Sequence, residues 1–131
     1  MTIKKDSGRQ DVGCAIVEFT YADLTSGVFA AAVELPIGAI VVGGAVRIDQ
    51  AFNSGLTDVI SVGISTSTGK YGSGFNVHAV GSFPLTGLCQ EEDAMVDVGI
   101  TWTGGGAAPS AGKARLVVMY VKSGKTEFSQ G

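Results

Sequence analysis

His78 is the single histidine in 131 residues, set in Phe75-Asn76-Val77-His78-Ala79-Val80. An imidazole can act as general base, but no motif places a nucleophile next to it, so a structural or surface role is the simpler reading. The two thiols, Cys14 and Cys89, can be paired with His78 into a nucleophilic site only by assuming a proximity that the spacing does not supply. Both cysteines have apolar neighbours, which predicts buried free thiols rather than a disulfide framework. One histidine and two cysteines cannot complete a zinc centre. Glu91-Glu92-Asp93 is the one acidic cluster. Hard cations take such oxygens, yet the alternating ligand spacing of a calcium loop is missing, so a solvated turn is expected.

Two glycine-rich stretches invite a phosphate-binding reading and fail it. Gly104-Gly105-Gly106 is followed by Ala107-Ala108-Pro109 instead of the Lys-Ser/Thr pair that opens a helix. Gly69-Lys70-Tyr71-Gly72 lacks the preceding glycine frame. Aromatic side chains can form a stacking platform for sugars or single-stranded nucleic acid. A carbohydrate-binding jelly-roll module would use Trp102, Tyr71 and the Ser65–Gly74 loop. Trp102 and the tyrosines, however, fall on separate strand candidates with no basic residues interleaved. The inventory therefore predicts no catalytic residue, no cofactor and no metal, and a chain that is not an enzyme.

The elements that would position these residues are strands. Twenty glycines argue against a helical bundle, since each interior glycine costs about 1 kcal/mol relative to alanine. Val, Ile and Thr outnumber the straight-chain helix formers. Strand candidates run over 11–21, 28–35, 39–50, 57–64, 75–80, 94–102 and 113–122, with turns every 8–14 residues. Ser65–Gly74 and Thr103–Gly112 are expected as flexible loops, and Gly81–Gly87 as a Pro/Gly connection. Alternation assigns faces: Ala15, Val17 and Phe19 oppose Cys14, Ile16 and Glu18. Val46 and Ile48 point inward against Arg47 and Asp49, as do Ile60, Val62 and Ile64. Val96, Val98, Ile100 and Trp102 share one face; Leu116, Val118 and Tyr120 oppose Arg115, Val117 and Met119. Gly43-Gly44 inside a strand marks a bulge, a bend or a close backbone approach. The sum is an all-β chain: one β-sandwich of seven or eight antiparallel strands over 12–122, a polar N-terminal arm over 1–11 and a polar tail over 123–131.

Mean hydropathy is positive although only 16% of residues are charged and 45% are hydrophobic. No run reaches the roughly 20 apolar residues of a membrane span, and residues 1–11 have no apolar segment of a signal peptide. No membrane and no nucleic acid is expected as partner. Charge is divided: residues 1–10 and 113–131 are net basic, whereas 11–112 carry ten acids against Arg47 and Lys70. Apolar surface on such a chain predicts an interface with other subunits.

Phe19-Thr20-Tyr21-Ala22-Asp23-Leu24, Val33-Glu34-Leu35-Pro36-Ile37-Gly38-Ala39-Ile40-Val41, Val46 to Asn53 (VRIDQAFN) and Val59-Ile60-Ser61-Val62-Gly63 resemble small structural proteins of tailed-bacteriophage virions. The stretch covers about a third of the chain and is most like head decoration (cement) proteins. The resemblance implies a β-sandwich or jelly roll that sits on the capsid surface, assembles as a homo-oligomer with a trimer favoured, and bridges the major capsid protein. It also implies synthesis in the host cytoplasm. A tail or head-to-tail component fits the same pattern. Ile3, Lys4, Lys5 and Arg9 of the arm are the expected shell-contacting residues.

Overall fold

The computed structural model describes residues 12–106 and 108–122. Eight strands follow one another: β1 (Gly13–Thr20), β2 (Phe29–Leu35), β3 (Ala39–Gln50), β4 (Asp58–Ile64), β5 (Ser67–Asn76), β6 (Gly81–Pro84), β7 (Val96–Gly104) and β8 (Lys113–Lys122). One turn of 3-10 helix, Tyr21–Asp23, follows β1. The strands form two antiparallel sheets of four, ordered β1-β8-β3-β6 and β2-β7-β4-β5. Consecutive strands alternate between sheets through most of the chain, which is the double Greek key of a jelly roll. The expectation of one β-sandwich holds.

The core is the set of inward alternating residues. Val46, Ile48, Leu116 and Val118 of the first sheet are fully buried against Ile60, Val62, Val98 and Ile100 of the second. Full burial of one such aliphatic side chain contributes roughly 1.5–3 kcal/mol. The faces follow the sequence reading in β1, β3, β7 and β8, while Ile64 is only half-buried.

Two segments depart from expectation. Ser65–Gly74 is not a flexible loop: most of it belongs to β5, paired to β4 from Ile64↔Ser67 to Val59↔Asn76 with two register shifts. Those shifts absorb its glycines, and Tyr71 anchors it in the core. Gly81–Pro84 is a strand paired to β3, with Pro84 at its last position, where a missing N–H is tolerated. The strand expected over 75–80 is instead the end of β5 and a connection.

The sandwich has two distinct ends. β1 begins and β8 finishes at the same one, since Gly13 pairs with Tyr120 and Ala39 with Lys122. The β2–β3, β4–β5 and β6–β7 connections lie there too. The opposite end carries the β1–β2, β3–β4, β5–β6 and β7–β8 connections.

Candidate functional site

At the loop-bearing end, β4 opens on Asp58, a carboxylate 1% exposed. It shares the inward parity of Ile60 and Val62, so the strand that builds the core also drives this acid into it. Three donors compensate its desolvation. Trp102 Nε1–H donates to Oδ1 at 2.8 Å, the Ser54 backbone N–H to Oδ2 at 3.0 Å, and His78 Nε2 meets Oδ2 at 2.5 Å. The Ser54 hydroxyl in turn donates to the Thr57 carbonyl. Asp58 thus ties β4 to β7, to the β3–β4 loop and to the β5–β6 connection.

A His–Asp pair orients an imidazole in many hydrolases, so its surroundings decide its use. The ring of His78 is one-third exposed beside a pocket of about 110 Å³ lined by Leu56, Thr57, Val59 and Asn76. That is well below the roughly 300 Å³ at which small-molecule sites begin. His78 bonds Asp58 through its ring and the Asn76 side chain through its backbone N–H, and neither contact involves a cysteine. Cys14 and Cys89 are both exposed free thiols, against the expectation of burial. Cys14 alternates outward with Ile16, and Cys89 sits in a loop at φ +67° with its N–H on the Val41 carbonyl.

The second polar cluster corrects the reading of Glu91-Glu92-Asp93 as a solvated turn. Glu92 is 4% exposed, accepting from the Tyr71 hydroxyl and pairing with Lys70 Nζ at 2.7 Å. Its backbone is locked as well: Glu92 N–H bonds the Ala39 carbonyl and Gly38 N–H the Glu92 carbonyl. Burial first, then the hydrogen bond and charge of Glu92, hold the Tyr71 phenol well above the usual tyrosine range. The sugar-stacking reading fails here for a physical reason: Tyr71 is 0% and Trp102 5% exposed, so neither ring offers a face to a ligand. Among the described residues, no group of three His, Cys, Asp or Glu is placed to hold a metal ion, and no helix is long and apolar enough to cross a membrane.

The remaining candidate is surface. On the outer side of the first sheet, cross-strand pairing aligns Ile16, Val117, Ala45 and Pro84 in one apolar row. Cys14, Met119 and Gly43 form the next, with the Met119 side chain lying over Gly43. A polar row of Glu18, Arg115, Arg47 and Ser82 borders them, carrying a Glu18–Arg115 ion pair at 2.7 Å. The outer side of the second sheet differs, with Ser61, Gly63, Gly99, Thr101 and Thr103 across β4 and β7. Val59 and Phe29 share that outer side, paired to Thr103 and Thr101, yet the exposed large apolar side chains within strands, Ile16, Val42 and Met119, all belong to the first sheet. The sequence-predicted contact residues Ile3, Lys4, Lys5 and Arg9 lie outside the described residues.

The chain is similar to chains of three solved phage structures. With the capsid asymmetric unit of cyanophage Pam1 it shares a TM-score of 0.70 at 23% identity, over 93% of this chain and 91% of that one. With the capsid of Ralstonia phage GP4 the values are 0.70 and 21%, over 95% and 92%. With the acid-stable capsid of Helicobacter pylori bacteriophage KHP30 they are 0.70 and 21%, over 91% and 93%. The fold is one found in phage capsids. No protein-family profile and no curated protein matches the sequence.

Proposed function

We propose that this chain is a structural component of a phage virion, a decoration protein that binds the outer surface of the shell and bridges neighbouring major capsid subunits. The observation that carries this reading is the near-full-length likeness in fold to chains of three phage capsid structures. The apolar outer face of the first sheet supports it, because contiguous exposed apolar surface marks contact with protein. The chain works without catalysis: His78 and Asp58 act as a structural tie. It associates with other copies of itself and is placed by them on the shell. Ile3, Lys4, Lys5 and Arg9 contribute the shell contact through an apolar anchor and positive charge.

Adding purified protein to shells assembled without it tests the reading. Saturable co-sedimentation and regular density on the outer surface are the expected results. Protein that stays in the supernatant at every concentration, together with its absence from purified virions by mass spectrometry, overturns it. Deleting residues 1–10 should leave the folded sandwich intact and lower occupancy on the shell, by less as salt rises, since screening weakens the exposed charge contacts that the wild-type arm makes. Unchanged occupancy removes the arm from the mechanism.

A further inference from the structure

A sheet edge presents backbone N–H and C=O groups with no strand beside them, and proteins blunt such edges with bulges, prolines, short strands or cover. Three of the four edges here are blunted. β2 shifts register between Ala31 and Val33, β5 shifts twice against β4, and β6 is four residues long and ends at Pro84. Phe75 and Phe83 also stack at 5.1 Å across the β5 and β6 edges and close that side. β1 has none of these devices. Its register with β8 is unbroken from Gly13↔Tyr120 to Thr20↔Lys113, and it holds no proline and a single charge, Glu18. Among the described residues β8 is the one strand paired with it. Nor does β2 cover it: an open groove of about 290 Å³ lies between the two, lined on the β2 side by Ala30, Ala31 and Ala32. Ile16, in the middle of the strand, is 61% exposed.

We propose that β1 is a strand-pairing edge and that its occupant is β1 of a second copy, antiparallel about a two-fold axis that passes Ile16 normal to the sheet. Residue sizes favour that register. With Ile16 opposite itself, half-buried Ala15 faces the partner's Val17 on the core side, so small meets large next to the axis. On the outer side Cys14 faces the partner's Glu18, and no like charges oppose each other. Pairing joins the two first sheets into eight continuous strands and sets their Ile16–Val117–Ala45–Pro84 rows end to end. An eight-residue strand is only about 27 Å long, and a ladder of that length buries less than the roughly 1,200 Å² of a standard interface. Free protein therefore pairs weakly. Copies held close on a common surface pair readily through raised effective concentration.

Cysteine cross-linking of the full chain tests both edge and register, with circular dichroism confirming the fold of each variant. The cysteine-free background is Cys14→Ser with Cys89→Ser. Directly opposed residues lie within disulfide reach, so adding Ile16→Cys should shift most of the protein to a disulfide dimer on oxidation at high concentration. Met119→Cys, on the same face but one strand in from the axis, should remain monomeric. Glu18→Cys should cross-link when native Cys14 is kept and not when Cys14 is serine. Monomer throughout, or dimer formation by Met119→Cys as readily as by Ile16→Cys, overturns the proposal. So does cross-linking of Glu18→Cys that is indifferent to Cys14. These outcomes are read on free protein, so they stand apart from success or failure of shell binding.

Discussion

Asp58 spans the distance between a sequence position and a structural requirement. A lone acid after Thr57 belongs to no motif, yet its parity with Ile60 and Val62 marks it as inward, and that signal is present in the sequence. Its burial is tolerable because Trp102, Ser54 and His78 all donate to it. Asp58→Ala leaves two buried donors without an acceptor and should lower stability by about 3 kcal/mol. His78→Ala removes a one-third exposed ring and should cost about 1 kcal/mol. Urea midpoints at constant m-value check both. Tyr71 gives a pH-dependent test. Its folded phenol is held above the ordinary value, so the folded state keeps a proton that the unfolded chain releases near pH 10. The Tyr71 contribution is therefore complete below about pH 10 and is lost as pH rises past it. Tyr71→Phe should cost roughly 1 kcal/mol at neutral pH by removing the hydrogen bond to Glu92. It should also flatten the alkaline fall in melting temperature relative to wild type.

Strands with a strong alternating pattern were legible, the edge strand β1 among them, whereas the edge strands β5 and β6 were not. β3, β7 and β8 are central; β7 and β8 keep one inward parity along their length, and β3 alternates on either side of its Gly43-Gly44 bulge. β5 and β6 are edges, one bulged and glycine-rich and the other four residues long, so turn chemistry masks their pairing. The same weakness hid the buried role of Glu92, which sits in a connection where no periodicity reports burial. The Gly43-Gly44 pair was legible as a bulge, a bend or a close approach, and the structure has a register shift at Gly43 and a close approach at Gly44. Gly44 has φ +134°, and a Cβ there would collide with the Val117 carbonyl of the neighbouring strand. Gly44→Ala should therefore cost about 3 kcal/mol, combining backbone strain with displacement of β8. Gly74→Ala, at φ +71° with open space around the added carbon, should cost only about 1 kcal/mol. Thermal unfolding of the two variants separates strain alone from strain with collision.

At the scale of the whole molecule, the sandwich is polar from end to end. Gly13 of β1 and Lys122 of β8 lie at one end, so the net basic stretch 1–10 and the neutral stretch 123–131 attach there. Exposed Ile37 and Met95 stand at that end as well, on the β2–β3 turn and just before β7. The other end bears the Asp58 tie and the long β7–β8 connection. On the proposed shell-binding reading, an attachment that uses positive charge with an apolar anchor belongs at the first end and leaves the second to face away. Chain segments exposed at loop tips accept insertions with little loss of stability. A short peptide tag inserted after Ala108, in the β7–β8 connection, should thus leave shell occupancy near that of wild type. A bulky domain fused ahead of Met1 should reduce occupancy, while both proteins keep the wild-type circular dichroism spectrum. The reverse pattern, loss with the inserted tag and tolerance of the fusion, would turn the molecule over on the shell and assign attachment to the end that carries Leu56 and Val28.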